Sequence, residues 1–211
     1  MTRMTQPIVL IDFDGVINQF PDRKVRSRQN SVDWMKPADP RRETYDPGNW
    51  FIPDRKEMID LGSRGRWPIT WSSELVARLD ALDADMFWLS TWQPYTGLLN
   101  RHLNVDWRTI DWYDPITNTG RLTGKRRAVL NHLRSGRPII WIDDEETTYD
   151  AGLAIEGSEH TGAVLGIGPR SEIGISRPQM DRIEEFTANP PDEPTTCFLV
   201  TSNGHESHWG F

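Results

Sequence analysis

Three short apolar runs, each ending in acidic or hydroxyl side chains, constrain this chain most. The first is Pro7 to Phe13, which runs into Asp12-Phe13-Asp14-Gly15. The second, Met86 to Leu89, runs into Ser90-Thr91, and the third, Pro138 to Ile142, runs into Asp143-Asp144. Continuous apolar runs of this length, rich in β-branched residues and closed by turn residues, read as strands buried on both faces. Such strands belong to a parallel sheet covered by helices, and right-handed crossovers then bring every carboxyl end to one edge, where ligands bind.

The segments between the runs supply the helices. Ser72 is an N-cap candidate ahead of Leu75, Val76, Leu79 and Leu82 at helical spacing, and residues 95–103 continue in the same period. Lys125 to Arg134 is expected as a helix closed by Gly136, and Ser176 to Phe186 as the last one. Val105 to Asp111 and Ala163 to Ile167 complete a set of five strands. The expected fold is therefore a Rossmann-like α/β domain over residues 1–187. Its mostly parallel five-stranded sheet has the order 5-4-1-2-3, with the first strand central between the second and fourth.

Two stretches fall outside this pattern. From Asn18 to Trp67 the periodicity disappears among prolines and scattered tryptophans, so residues 18–68 read as an irregular insertion. Residues 188–211, opening with Pro190, Pro191 and Pro194, read as a linker and polar tail, in which His205 and His208 are taken as mobile rather than metal-binding. The apolar share of 36% fits a core surrounded by long polar loops.

Charge and cysteine usage exclude several classes. The net charge of −7 gives no global field for nucleic acid, but residues 21–42 carry a net +4 and residues 121–137 a net +6. Cys197 is the single cysteine, so neither an intrachain disulfide nor a multi-cysteine zinc site can form. Residues 1–6 are polar, and no stretch approaches the roughly 18 apolar residues of a membrane span. A soluble, cytoplasmic protein is expected. Gly120 to Arg126 has too few residues between its glycines for a phosphate-binding P-loop, and Gly166-Ile167-Gly168 lacks the third glycine of a dinucleotide motif.

The chemistry lies at the strand ends. Asp12 and Asp14, with a carboxylate from Asp143 or Asp144, make an oxygen cage suited to Mg²⁺, which takes few protein ligands. A carboxylate beside such an ion can attack phosphorus in line, and a second carboxylate two residues on can protonate the leaving oxygen and then activate water. A lone Asp-x-Asp-Gly is a common strand-to-turn signal. Four matched motifs in order are far more specific.

Through Asp12-Phe13-Asp14-Gly15-Val16, Ser90, Lys125 and Asp143-Asp144, the sequence resembles the haloacid dehalogenase superfamily of phosphohydrolases. The resemblance implies a nucleophile at Asp12, a general acid/base at Asp14, a phosphoryl-holding hydroxyl at Ser90, a charge-neutralising Lys125 and Mg²⁺ held with help from Asp143 and Asp144. Asp143 and Asp144 need not both touch the ion, since one can act through water or through Lys125. The superfamily also often places a cap over the active site after the first motif, which implies a loop-built lid or cap for residues 18–68. Ser90, which directly follows the apolar run, is favoured over Thr91 as the hydroxyl that meets phosphate. Dehalogenases of the superfamily lack the second acid, so Asp14 favours phosphate esters over carbon–halogen bonds.

A narrower resemblance rests on Trp88-Leu89-Ser90-Thr91-Trp92, Leu98-Leu99-Asn100-Arg101, Trp141 to Glu145 and Ile173 to Ser176, which are similar to the Swiss-army-knife RNA repair type of that superfamily. It implies removal of phosphate from nucleic-acid ends, with Thr91, Trp92 and Asn100 as candidate substrate-binding residues. Trp88 and Trp92 have two readings: packing against a neighbouring helix, or an exposed ring face on which a base stacks. Asn100 likewise has a scaffold role as its alternative. A phosphatase for small nucleotides or other metabolites, and a catalytically idle binding module, are the rival functions.

Overall fold

A computed structural model describes residues 6–120, 124–202 and 205–210, with only the course of the backbone given beyond residue 200. Arg121 of the second basic segment, residues 1–5, and the side chains of His205 and His208 lie outside the described residues.

The first apolar run forms β1 (Ile8–Ile11), every residue of which is buried. β4 (Asp85–Trp88) and β6 (Ile139–Ile142) lie parallel on either side of it, with Ile11 level with both Trp88 and Ile142. The ladder carries on past the strands, since Asp12 N–H donates to Ile142 C=O and Leu89 N–H donates to Ile11 C=O. This register brings Asp12, Ser90 and Asp143 to one edge of the sheet. β5 (Arg108–Thr109) pairs outside β4, and β7 (Val164–Gly168) outside β6, both parallel.

The sheet is wider than expected, and its full order differs accordingly. β8 (Thr196–Ser202) adds in parallel to β7, and β9 (His205–Gly210) pairs antiparallel with β8, giving seven strands in the order β5-β4-β1-β6-β7-β8-β9. Residues 196–202 and 205–210 are therefore strands rather than a free tail. Gly166 and Gly168 make this addition fit: a Cβ on Gly166 would lie 2.5 Å from the Phe198 ring, and one on Gly168 3.1 Å from a Val200 methyl. Phe198 is fully buried as a result. The two glycines that fail as a dinucleotide motif are a packing requirement of β8.

Period-two alternation sorts the core onto the two faces of the sheet. Val9 and Ile11 join Trp88, Ile140, Ile142 and Ile167 beneath α3 (Ser73–Asp80), α4 (Thr96–Leu103) and α7 (Arg177–Ala188). Ile8 and Leu10 join Leu89, Ile139 and Trp141 beneath α5 (Gly124–Leu133) and α6 (Tyr149–Glu156). The result is a mixed α/β layer structure with a mostly parallel sheet, compatible with a Rossmann-like fold. Helix ends follow local chemistry: Ser72 caps α3, Ser176 and Gln179 form a capping box on α7, and Gly136 takes φ +71° after α5.

The insertion is not the irregular loop the sequence suggests. It contains α1 (Arg23–Ser27), α2 (Arg41–Thr44) and an antiparallel hairpin of β2 (Arg55–Asp60) and β3 (Arg66–Trp71). Val25, Met35, Tyr45 and Trp50 form a small apolar cluster with Ile173, while Ile59, Ile69 and Trp71 enter the main core. Trp50 is fully buried, and its indole N–H donates to Gln19 Oε1 at 2.6 Å. No helix among the described residues is long and apolar enough to cross a membrane.

Candidate active site

The turn after β1 carries Asp12 and Asp14, the turn after β4 carries Ser90, and the turn after β6 carries Asp143 and Asp144. Lys125 comes from the first turn of α5. Four of these converge. The Lys125 ammonium, 6% exposed, donates to Asp12 Oδ2 and, at 2.6 Å, to Asp143 Oδ2. Carboxylate oxygens of Asp12, Asp143 and Asp144 lie within 4.8 Å of one another.

Local hydrogen bonds fix the acids. Asp12 Oδ1 accepts the Phe13 N–H at 2.6 Å, and Asp143 Oδ1 accepts the N–H groups of Glu145 and Glu146 at 3.0 and 2.7 Å, an Asx turn that leaves Oδ2 for Lys125. Gly15 has φ +68°, and a Cβ there would lie 1.9 Å from Asp144 Oδ2, so the turn after β1 and the Asp144 carboxylate are in direct apposition.

Three acids and one ammonium leave a surplus of negative charge in a poorly hydrated place. Burial, then the neighbouring Asp12 and Glu145 carboxylates, push Asp144 up to about 7. Asp143 is raised by burial and by Asp12, against the pull of Lys125. Burial alone would lower the Lys125 ammonium, but Asp12 and Asp143 outweigh it and hold lysine above its ordinary value. Asp12, Asp143 and Asp144 thus present clustered hard oxygen donors that could together hold a metal ion.

Asp14 lies beside this trio and is held differently. Its Oδ1 accepts the Asn18 amide N–H at 2.6 Å, and its Oδ2 accepts the Trp92 indole N–H at 2.8 Å. Burial raises its proton affinity most, the two donors lower it, Asp12 raises it further, and the net direction is upward.

Ser90 is buried. Its hydroxyl oxygen accepts the Trp92 N–H at 3.1 Å, and its carbonyl accepts the Trp112 indole N–H at 3.0 Å. Thr91 is exposed, and its carbonyl accepts the Tyr113 hydroxyl. Trp88 and Trp92 offer no open face for a base: Trp88 is fully buried, and Trp92, 6% exposed, packs edge-on to Phe13 with centroids 5.1 Å apart. The stacking reading of both rings is overturned. Asn100 is tied to the scaffold, accepting the Trp88 indole N–H at 2.8 Å and donating to Trp107 C=O at 2.9 Å. These two bonds brace β4 against the loop ahead of β5.

Two contributors escape sequence reasoning. Asn18 touches Asp14, and its only sequence signal is its position four residues on, inside the turn. Trp112 lies 5.8 Å from Lys125 Nζ, centroid to nitrogen, and fills the space above Gly124, where a Cβ would sit 2.5 Å from its ring. No sequence pattern announces Trp112. No family model, curated protein or solved structure matches the chain.

Proposed function

We propose that this chain is a Mg²⁺-dependent phosphatase of the haloacid dehalogenase type, acting through a phosphorylated Asp12. One observation carries the reading: Lys125 joins Asp12 to Asp143 while Asp144 completes the acidic trio, all at the carboxyl edge of a parallel sheet. Asp12, Asp143 and Asp144 would hold the ion. When bound, Mg²⁺ supplies positive charge to the phosphoryl oxygens and relieves repulsion between nucleophile and substrate.

The residues divide the work. Asp12 forms a bond to phosphorus as the ester P–O bond breaks, and Asp14 passes its proton to the leaving oxygen. Asp14 then takes a proton from water, which attacks the same phosphorus, releasing phosphate and restoring Asp12. Lys125 orients Asp12 and offsets charge on the transferring group. Ser90 would hold a phosphoryl oxygen, its hydroxyl oxygen accepting from the Trp92 N–H while its proton remains to donate.

For the substrate, we favour phosphate at a nucleic-acid end. Arg23, Lys24, Arg26 and Arg28 are all exposed on and just after α1, and Arg28 and Arg41 sit over the Trp34 ring at 5.2 and 5.4 Å. Such a cationic surface suits the backbone phosphates of a polymer.

The test is hydrolysis of an aryl phosphate by the purified protein. Turnover is expected only with Mg²⁺ or a similar hard ion, is abolished by chelation, and is absent in Asp12→Asn; full activity in that variant would remove the nucleophile. Asp14→Asn is expected to lose roughly a hundredfold or more.

A further inference from the structure

Asp14 is gripped from two sides by residues of different elements. Asn18 ends the turn after β1, and Trp92 stands in the turn after β4. Each donor is itself fixed. Asn18 Oδ1 accepts the Thr70 N–H of β3 at 2.8 Å, so the orientation of its amide is decided and the NH₂ must face Asp14. Trp92 is buried, lies edge-on to Phe13 and to Tyr95, with centroids 5.1 and 6.3 Å apart, and its backbone N–H is tied to the Ser90 hydroxyl. A carboxylate with one donor on each oxygen cannot turn about its last torsion without breaking both bonds, yet each oxygen keeps a second lone pair for a proton.

We infer that Trp92 and Asn18 are positioning residues that aim the Asp14 carboxyl at the leaving oxygen. The inference rests on the phosphatase reading above and adds to it the two side chains that hold the proton donor. They touch Asp14 rather than the reacting atoms, so their effect is felt only where proton transfer matters. In the first step Asp14 O–H breaks as the leaving oxygen gains the proton, and help of this kind counts most when the leaving group is a poor one.

The experiment compares kcat/KM for phenyl phosphate and p-nitrophenyl phosphate, which differ little in size but greatly in leaving ability. Trp92→Phe keeps a ring against Phe13 and deletes the N–H. It is expected to lower kcat/KM about tenfold or more for the phenyl ester and less than about threefold for the nitrophenyl ester, a part of the hundredfold or more that a general acid contributes. Asn18→Ala should give the same signature and keeps the test alive if Trp92→Phe does not fold. In an Asp14→Asn background, Trp92→Phe should change nothing further. Equal losses on both esters, no loss on either, or an undiminished effect without Asp14 would each overturn the inference. A parent protein that hydrolyses neither ester overturns the phosphatase reading itself, which is a different result.

Discussion

Gly15 and Asp144 touch so closely that no side chain fits between them: a Cβ on Gly15 would lie 1.9 Å from Asp144 Oδ2, and the backbone there has φ +68°. Gly15→Ala therefore adds a left-handed penalty of about 1–2 kcal/mol and also drives the Asp144 carboxylate out of the trio. Calorimetric titration with Mg²⁺ should show affinity falling about tenfold or more, as when a ligand loses its support. Unchanged affinity would mean that Asp144 does not help to hold the ion.

Asp144 also gives the ion-free protein a pH signature. Its folded pKa of about 7 stands above its ordinary value of 3.8, so between those values the folded state holds the proton more tightly than the unfolded chain. Stability from this group is full below the unfolded pKa and is lost as pH rises through the folded one. Asp143, raised as well, acts in the same direction. With chelator present, melting temperature should be lower at pH 8 than at pH 5.5, and Asp144→Asn should flatten part of the difference. Added Mg²⁺ should raise the melting temperature more at pH 8, because protons compete for the same oxygens at the lower pH. A Mg²⁺ effect equal at both pH values would contradict the assignment.

Removing the Lys125 ammonium strands two buried acids. Lys125→Met preserves much of the stem but leaves Asp12 and Asp143 without their shared cation, and breaking a buried ionic contact from one side costs about 3–5 kcal/mol. Urea denaturation should show that loss in chelator, with Mg²⁺ restoring part of the stability. Phosphatase turnover should not return, since charge on the transferring group remains uncompensated. Recovery of turnover with Mg²⁺ alone would reduce Lys125 to a structural cation.

The exposed arginines and lysine of the insertion separate polymer from metabolite. Oligonucleotides ending in a 3′-phosphate are expected among the better substrates, and charge reversal at Arg23, Lys24, Arg26 and Arg28 should weaken them more than an aryl phosphate. Their binding should fall by about 0.7 log units per phosphate contacted for each tenfold rise in salt. If mononucleotides are turned over far more efficiently, and salt affects neither class, the substrate is a small metabolite.

The strands that carry Asp12, Ser90 and Asp143 are legible in the sequence because each is an apolar run stopped by a polar residue, a pattern that needs no tertiary information. β8 is not, because Pro190 to Pro194 hides the short run Thr196 to Val200, and only the space over Gly166 and Gly168 explains why that run joins the sheet. The β2–β3 hairpin is masked by Pro68 inside a strand and by the exposed charged residues of β2. At the site, residue type and order bring Asp12, Lys125, Asp143 and Asp144 together on paper. Side-chain direction is another matter: burial turns the Trp92 ring into the core and its indole N–H onto Asp14, while hydrogen bonds tie Asn100 to Trp88 and Trp107.

The register of β1 bears on how the protein is made. Ile8 must wait for Asp85 before its first neighbour exists and for Ile139 before its second. At the pace of translation the second partner emerges on the order of ten seconds after the first strand. Pairings so distant along the chain are slow to form. The segment bearing Asp12 is thus an apolar ribbon with at least one bare edge until residue 142 has been made, and a ribosome stalled before that point would hold a chain prone to stick to its neighbours rather than a small folded precursor.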